Sequence, residues 1–272
     1  MSVSQHVHSL VTLCWPNKRQ MMRESHDPPA RNKALGATSF LGFLIPNISN
    51  AHARRKMAAS LASLEFLGLT EEHLEAVLRF TQQHFFPREP LCSGLSVGAV
   101  DPREGTRMGD ELRKCLASGL SVGAFDRTSR DLVGIGLSYA CAKDGETDGD
   151  AGLSPPCELE AMYKRDDLVW ASVGLFDVPG VEKILGMSIW CVRSDYGRRG
   201  IARKIAELAI EAGRAAGCQE ARLIASNVFT QSLFSKMGFA TRFTLDLTSD
   251  PDIDVAAMGG TTTSCLMSMR IS

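Results

Sequence analysis

The sequence predicts a fold of the α/β class, in which strands and helices alternate along most of the chain. An apolar, β-branched segment at 183–192 leads through a glycine-rich turn into an amphipathic helix at 201–216. Other short apolar segments, bounded by turn residues, are typical of strands. The chain has 272 residues and is 44% hydrophobic, which is enough apolar content to form a hydrophobic core.

The elements follow in order from these local patterns. Strands are predicted at 61–67, 120–125, 132–140, 183–192, 221–224, 242–247 and 262–271. Helices are predicted at 70–80, 110–117, 159–164 and 201–216, and within 227–239. Thr70 is the expected N-cap of the first helix, and Gly217 ends the long one. The Gly-, Asp- and Pro-rich residues 142–157 predict a loop.

The turn after 183–192 is the most informative segment. Gly197 and Gly200 permit close backbone approach, and Arg198 and Arg199 add positive charge. Main-chain N–H groups of such a turn, together with a helix N-terminus, form a concave site for phosphate oxygens. The alternative is a surface turn with solvated arginines. The spacing is neither that of a P-loop nor that of a dinucleotide-binding fingerprint.

This turn resembles motif A of the GNAT acetyltransferase superfamily, Arg/Gln-x-x-Gly-x-Gly/Ala, which holds the pyrophosphate of acetyl-CoA. Gly200, Ile201 and Ala202 match its last three positions, whereas Gly197 stands where Arg or Gln is usual. By this resemblance, the acetyl-CoA contacts fall on Arg198, Arg199, Gly200, Ile201 and Ala202.

The segment 227–239 resembles GNAT motif B, Asn-x-x-Ala-x-x-x-Tyr-x-x-x-Gly-Phe. Asn227, Gly238 and Phe239 match, while Thr230 replaces Ala and Phe234 replaces Tyr. By resemblance, Asn227 and Phe234 are cofactor-binding candidates. In many relatives the Tyr protonates the departing thiolate, and Phe234 has no proton to give.

The end of the first helix, with Phe85, Phe86 and then Glu89, Pro90 and Leu91, resembles the invertebrate arylalkylamine N-acetyltransferases. In that group the Glu is the proposed general base, a role that falls here on Glu89. A free amine has a pKa of about 10, so a base must remove a proton before the amine attacks a thioester. The alternative is an exposed Glu in a proline-bounded turn.

The resemblance also implies roles around the cleft. Ser226 and Thr230 are catalytic candidates that could anchor the amine or relay a proton, and Ser226 could equally cap the next helix. The main chain of Trp190, Cys191 and Val192 would pair with the pantetheine arm, and one amide would polarise the thioester carbonyl.

The resemblance implies the GNAT fold, a mixed, mostly antiparallel sheet that splays apart and is flanked by helices. It implies acetyl-CoA-dependent N-acetylation of a primary amine, most readily an arylalkylamine such as dopamine, serotonin or tryptamine. Two alternatives stay open. One is a GNAT acyltransferase that uses a longer acyl donor or acts on polyamines, amino acids or peptide N-termini. The other is a non-catalytic relative that binds CoA.

Charge is unevenly distributed although the net charge is −1. Residues 1–58 hold eight basic and two acidic residues and predict a disordered extension, with a mitochondrial transit peptide as the alternative. The GNAT domain is predicted at 59–272, with 22 basic and 29 acidic residues, which favours cationic substrates over nucleic acid.

The remaining expectations concern metals, partners and compartment. The eight cysteines form no C-x-x-C pair, so we expect reduced thiols and no metal. No segment is long and apolar enough to suggest a membrane span. We expect a cytoplasmic monomer or weak dimer.

Overall fold

The computed structural model describes residues 61–102, 106–144, 157–174 and 176–272. The predicted extension 1–58 and most of the predicted loop 142–157 lie outside these residues. The described strands are β1 Leu64–Leu69, β2 Ser121–Asp126, β3 Leu132–Ala142, β4 Lys183–Val192, β5 Glu220–Ala225, β6 Ala240–Asp246 and β7 Thr263–Arg270. They form one seven-stranded sheet in the order β1-β2-β3-β4-β5-β7-β6.

Neighbouring strands pair antiparallel except β4 and β5, which run parallel. The predicted mixed, mostly antiparallel sheet is therefore confirmed. Most strand ends differ from the prediction by one to three residues, because local patterns define the centre of a strand better than its ends.

The parallel pair is short. β4 pairs with β5 only from Ile184 to Gly186, opposite Glu220 to Arg222. β4 then continues to Val192 and β5 to Ala225 without further pairing. The two strands therefore separate toward their carboxyl ends, and the cleft between them is where an α/β sheet of this kind binds ligands.

Helices cover both faces of the sheet. They are α1 Leu74–Phe80, α2 Pro90–Gly94, α3 Arg107–Ala117, α4 Cys157–Ala171, α5 Ile201–Ala215 and α6 Val228–Lys236. One core cluster contains apolar residues of α1 to α4 and of one face of the sheet, and two others contain residues of α5 and α6 and of the opposite face.

Gly213 lets α5 lie close to β4, since a Cβ there would come within 2.8 Å of the Leu185 side chain.

The first helical segment is less regular than predicted. A 3₁₀ turn at Glu71–His73 precedes α1, a π-helical turn follows at Thr81–Phe85, and a second 3₁₀ turn covers Phe86–Arg88. The Thr81 hydroxyl donates to the carbonyl oxygens of the preceding turn. π-helical turns are frequent at functional sites, and this one directs the chain toward Glu89.

Helix α4 is much longer than the predicted 159–164, since it extends from Cys157 to Ala171. In the part of the chain that the structure describes, no helix has the length and apolar character needed to cross a bilayer.

Candidate active site

Glu89 lies in extended conformation between the second 3₁₀ turn and α2. Its Oε2 accepts a 2.7 Å hydrogen bond from the main-chain N–H of Cys92, so the carboxylate caps α2. Pro90 occupies the first helical position, where a missing N–H costs nothing. The local sequence therefore fixes both the backbone and the side chain of Glu89.

The other carboxylate oxygen of Glu89 contacts Ser226, which directly precedes the motif B segment. Ser226 Oγ donates a 2.6 Å hydrogen bond to Glu89 Oε1, from just beyond the end of β5. Glu89 is only 5% exposed. Burial raises the pKa of Glu89, and the hydrogen bonds from Ser226 and Cys92 partly offset that rise. The result is an oriented carboxylate whose proton affinity is moved toward that of a general base.

Glu89 and Ser226 face a cavity between the diverging strands β4 and β5. It contains about 660 Å³ of empty space, part of it open to solvent. Its walls combine aromatic, methionine and acidic side chains from the first helical segment, α3, α4 and the sheet. The lining residues are Phe85, Glu89, Leu91, Met108, Glu111, Tyr139, Met162, Tyr163, Asp166, Trp170, Met187, Ser188, Ile189, Ile224 and Ser226.

The end of β4 borders the same cleft. Arg193 donates its main-chain N–H to β3, so alternation along the strand points the main-chain groups of Cys191 toward β3 and those of Trp190 and Val192 toward the cleft. Arg88 donates a 2.9 Å hydrogen bond to the carbonyl oxygen of Val192. Within this predicted set, the main chain of Trp190 and the N–H of Val192 therefore face the cleft, whereas the carbonyl oxygen of Val192 is already bound by Arg88.

Cys191 is a buried thiol and is 8% exposed. Burial raises the pKa of Cys191 to about 11, although Arg88, whose guanidinium lies 3.0 Å from Sγ, opposes the rise. A thiol with this pKa is protonated at neutral pH, and it packs as a small apolar group.

The turn between β4 and α5 presents a run of main-chain donors. Among the described residues, no acceptor contacts the main-chain N–H groups of residues 198 to 203. Arg198 has a φ of 60° and Gly200, the N-cap of α5, a φ of 84°. Successive N–H groups around a left-handed residue form an anion-binding concavity, and the α5 N-terminus adds its partial positive charge.

Side-chain contacts hold this turn in place. Arg193 binds both carboxylate oxygens of Asp195, at 2.8 and 3.0 Å. The Arg193 and Arg199 guanidinium groups lie over the Tyr196 ring, and Tyr196 donates a 2.9 Å hydrogen bond to Asp126. Arg199 thus contacts the turn itself and also donates to the main-chain oxygen of Asp195. The turn is preorganised by contacts within the protein.

The other predicted residues of motif B lie apart from the Glu89 carboxylate. Asn227 caps α6 by accepting a 2.8 Å hydrogen bond from Phe229, so Ser226 does not serve as that cap. Thr230 lies within α6 and does not line the cavity. Helix α6 begins only at Val228, so Ser226 lies before the helix that contains Thr230. Phe234 is fully buried between Trp190 and Phe239.

Two acidic residues of the cavity were not predicted from the sequence. Asp166 lies on α4 and Glu111 on α3. Each interrupts an otherwise apolar helix face: Asp166 follows Leu159, Met162 and Tyr163 at helical spacing. That interruption could have indicated a functional residue, since charged side chains are rarely buried unless they have a partner or a functional role.

Comparisons with known proteins agree with this fold. Residues 148–239, about a third of the chain, match the Acetyltransferase (GNAT) family. Arylalkylamine N-acetyltransferase 2 from Aedes aegypti is 19% identical, with a TM-score of 0.65, over 77% of this chain and 99% of that chain. Mosquito arylalkylamine N-acetyltransferase like 5b is 15% identical, with a TM-score of 0.64, over 76% and 100%.

The polyamine N-acetyltransferase of Drosophila melanogaster is 13% identical, with a TM-score of 0.59, over 76% of this chain and 99% of that chain. A search of curated protein sequences gave no match. At these identities the solved structures establish the fold, which is the GNAT fold. The predicted resemblance to the GNAT superfamily is confirmed by the family match and the fold, and the likeness to its arylalkylamine N-acetyltransferases is a likeness of fold.

Proposed function

On the basis of a GNAT fold with both acetyltransferase motifs in place, we propose that this chain transfers the acetyl group of acetyl-CoA to a primary amine. The amine nitrogen attacks the thioester carbonyl carbon, a C–N bond forms, and the C–S bond breaks to release the CoA thiolate. Glu89 takes one proton from the substrate ammonium to give the amine that attacks, and the second proton leaves the nitrogen for solvent as the amide forms. A base positioned in this way typically contributes about 10²–10⁴-fold to the rate.

The observation that carries the proposal is the Glu89 carboxylate itself. It is buried, held by Ser226 and Cys92, and faces a cavity that opens between the splayed strands. An exposed Glu in a proline-bounded turn, the alternative considered from the sequence, would have neither the burial nor the two hydrogen bonds. Burial raises the pKa of Glu89 and so increases its affinity for the substrate proton.

The acetyl-CoA side of the site is supported by the main-chain donors. The free N–H groups at 198–203 suit the diphosphate of CoA, because they converge at a helix N-terminus without needing specific side chains. The open edge of β4 at Trp190 and Val192 suits the pantetheine amides, and an N–H there can polarise the thioester carbonyl. An oxyanion contact of this type contributes roughly 3–4 kcal/mol.

No strong acid is needed for the leaving group. Phe234 stands where many relatives have Tyr, and it is buried in the core. A CoA thiolate departs readily without protonation, so Ser226 acts in the proposal by orienting Glu89 and the amine. Thr230, which lies within α6 and does not line the cavity, keeps only the weaker role of relaying a proton to the thiolate.

The substrate in this proposal is a primary amine with a body that fits the cavity. The arylalkylamine prediction rests on the resemblance, and the aromatic walls Phe85, Tyr139, Tyr163 and Trp170 are compatible with it. Aromatic faces also attract cations, so these walls alone do not select between a ring and a second positive group.

The test is a panel of amines with acetyl-CoA, read as release of free thiol, with product mass confirming N-acetylation. Saturable release supports the proposal. The Glu89→Gln variant should lose turnover while keeping its affinity for CoA, measured by calorimetry. Absence of release with every amine, in a protein that still binds CoA, would overturn the catalytic proposal in favour of a CoA-binding relative.

A further inference from the structure

Arg88 and Glu89 are consecutive residues whose side chains contact different strands of the sheet. Glu89 Oε1 accepts its hydrogen bond from Ser226, directly after β5, whereas Arg88 Nη2 donates a 2.9 Å hydrogen bond to the carbonyl oxygen of Val192, the last residue of β4. β4 and β5 diverge toward these ends, since their pairing stops at Gly186 on β4. The two side chains therefore connect the two sides of the cleft where it is open.

The guanidinium of Arg88 makes two further contacts. Nη2 lies 3.0 Å from Cys191 Sγ, and Nε donates a 2.7 Å hydrogen bond to the carbonyl oxygen of His84, within the π-helical turn. Carbonyl groups near the end of a helical segment often lack a main-chain donor, and an arginine side chain can supply one. Arg88 is thus bound to its own helical segment and to β4 at the same time.

Cys191 adds another contact between the same two segments. Its Sγ donates a 3.3 Å hydrogen bond to the carbonyl oxygen of His84. Because the buried thiol is protonated at neutral pH, it can donate to His84 while it receives the contact from Arg88. Three hydrogen bonds therefore join the first helical segment to the end of β4.

The acceptor of Arg88 on β4 lies on the cleft side of that strand. Among the described strands, none pairs with Val192 on this side, because β5 has already diverged. Arg88 occupies the carbonyl oxygen of Val192 and leaves the N–H of Val192 and the main chain of Trp190 for the pantetheine arm. The contact can therefore fix the end of β4 without displacing the cofactor.

Arg88 is connected to Glu89 by geometry rather than by charge. Burial and the hydrogen bonds from Ser226 and Cys92 have the largest effects on the pKa of Glu89. The hydrogen bonds of the Arg88 guanidinium go to His84 and to β4. Since Arg88 and Glu89 share a peptide bond, a movement of Arg88 relative to β4 also moves the backbone that carries the base.

We propose that Arg88 is a positioning residue that fixes the end of β4 relative to Glu89, and thereby the thioester relative to the base. This inference rests on the proposed acetyl transfer, in which β4 presents the thioester and Glu89 deprotonates the amine. Reaction between bound groups is sensitive to their alignment, and a misplacement of about 1 Å can cost about 10²-fold in rate. Loss of the Arg88 contacts should therefore lower kcat more than it weakens cofactor binding.

The first experiment measures kcat and CoA affinity in full-length Arg88→Met, whose side chain donates no hydrogen bond. With an amine that the wild-type protein acetylates, we expect kcat to fall about 10–100-fold. The calorimetric Kd for CoA should stay within about twofold, because the main-chain donors at 198–203 remain. Unchanged kcat in folded Arg88→Met would overturn the inference, whatever the CoA affinity.

Arg79→Met is the matched control for Arg88→Met. Arg79 is exposed in the last turn of α1 and takes part in none of the contacts between the first helical segment and β4. This variant removes the same charge from the same segment, so it should retain the wild-type kcat. An equal loss of kcat in Arg79→Met and Arg88→Met would show that the charge of the segment matters and would contradict the positioning role.

The second experiment tests whether positive charge alone is sufficient. Lysine keeps the charge, but its single ammonium cannot reproduce the contacts that the guanidinium makes with Val192, Cys191 and His84 together. We therefore expect Arg88→Lys to recover at most part of the kcat that Arg88→Met loses. Full recovery to the wild-type kcat would overturn the geometric role.

The third experiment separates positioning of the base from a general structural effect. In a Glu89→Gln background there is no base to align, so adding Arg88→Met should lower the residual kcat by less than about threefold. Residues that act as a unit give such non-additive losses, whereas independent residues give the same loss in both backgrounds. An equal loss with and without Glu89 would overturn the inference.

Failure of the inference and failure of the proposed function are distinguishable. If the wild-type protein acetylates amines and folded Arg88→Met matches it, the inference fails and the proposed acetyl transfer stands. If the wild-type protein releases no CoA thiol with any amine, the proposed function fails and the inference fails with it. Circular dichroism identifies misfolded variants. Should Arg88→Met misfold, Arg88→Lys in the wild-type and Glu89→Gln backgrounds supplies the same comparison.

Discussion

Ser226 Oγ and Glu89 Oε1 form a 2.6 Å hydrogen bond across 137 positions of sequence. This contact joins the start of α2 to the end of β5 at the point where the sheet opens. It also opposes the rise in the pKa of Glu89 that burial causes, because a hydrogen bond to the carboxylate favours its ionised form. Ser226 is thus a positioning residue whose effect can be measured separately from that of the base.

The first prediction concerns the base. Glu89→Gln keeps an oxygen to accept from Cys92 but cannot take a proton, so kcat should fall by about 10²–10⁴-fold. Steady-state kinetics measures the loss, and calorimetric CoA titration should show unchanged affinity. Glu75→Gln is the matched control, because Glu75 lies exposed on α1 and should retain full activity. Retained kcat in Glu89→Gln would contradict the role.

The second prediction is a shift in pH dependence. Burial raises the pKa of Glu89 and the Ser226 hydroxyl opposes the rise, so Ser226→Ala should raise that pKa further. Activity requires the ionised carboxylate. The acidic limb of the kcat/KM profile should therefore move to higher pH, as measured with one amine across the acid range.

Asn227→Ala serves as the control for this shift. Asn227 caps α6, so its loss should cost about 1 kcal/mol of stability without moving the acidic limb. An unchanged profile in Ser226→Ala, with the protein folded, would show that the hydrogen bond does not tune Glu89.

The third prediction tests the proposed phosphate-binding turn, residues 198–203, by changing its backbone geometry. Gly200 and Gly217 flank α5 with φ values of 84° and 81°. Alanine at either position adopts a left-handed conformation at a cost of about 1–2 kcal/mol. Only Gly200→Ala distorts the turn that presents the free N–H groups, so only this variant should lose CoA affinity.

Calorimetric CoA titration and thermal unfolding of the two glycine variants separate the effects. A Cβ at Gly217 meets no atom within 4 Å, so Gly217→Ala should lose stability but keep its affinity for CoA. Equal CoA affinities in the two variants would argue against an anion site at 198–203.

The sequence predicted the parts of the site that depend on neighbouring residues. The strand 183–192, the turn and α5 were predictable because an apolar β-branched run, two glycines and helical spacing occur within one continuous segment. Glu89 and Ser226 came from the family resemblance, since nothing local indicates that they meet. Their contact depends on the sheet, which brings the first helical segment to the end of β5.

Asp166 and Glu111 show what local patterns left out. They are 55 positions apart on different helices, and only the packing of α3 and α4 over the diverging strands places both at one cavity. Helix α4 was predicted for less than half of its length, so the apolar face that Asp166 interrupts was not recognised. The π-helical turn before Glu89 was equally unpredictable, because it arises from how the first helix packs.

The last prediction concerns a buried ion pair in β5 that supports the wall of the cavity. Glu220 and Arg222 alternate onto the same face of the strand and pair at 2.6 Å, and both side chains are at most 2% exposed. Arg222 also donates to the main-chain oxygen of Gly174, beyond α4. Arg222→Met removes one partner and leaves Glu220 buried, which should cost about 3–5 kcal/mol of unfolding free energy.

The exposed pair Arg203–Glu207 on α5 is the control for Arg222→Met. Its side chains are 45% and 43% exposed, so Arg203→Met should cost less than about 1 kcal/mol. Urea unfolding of both variants measures the difference. The double variant Glu220→Gln with Arg222→Met should recover part of the loss, because the cost comes from the unpaired carboxylate rather than from the missing contact. Equal losses in Arg222→Met and Arg203→Met would show that β5 tolerates the buried charge.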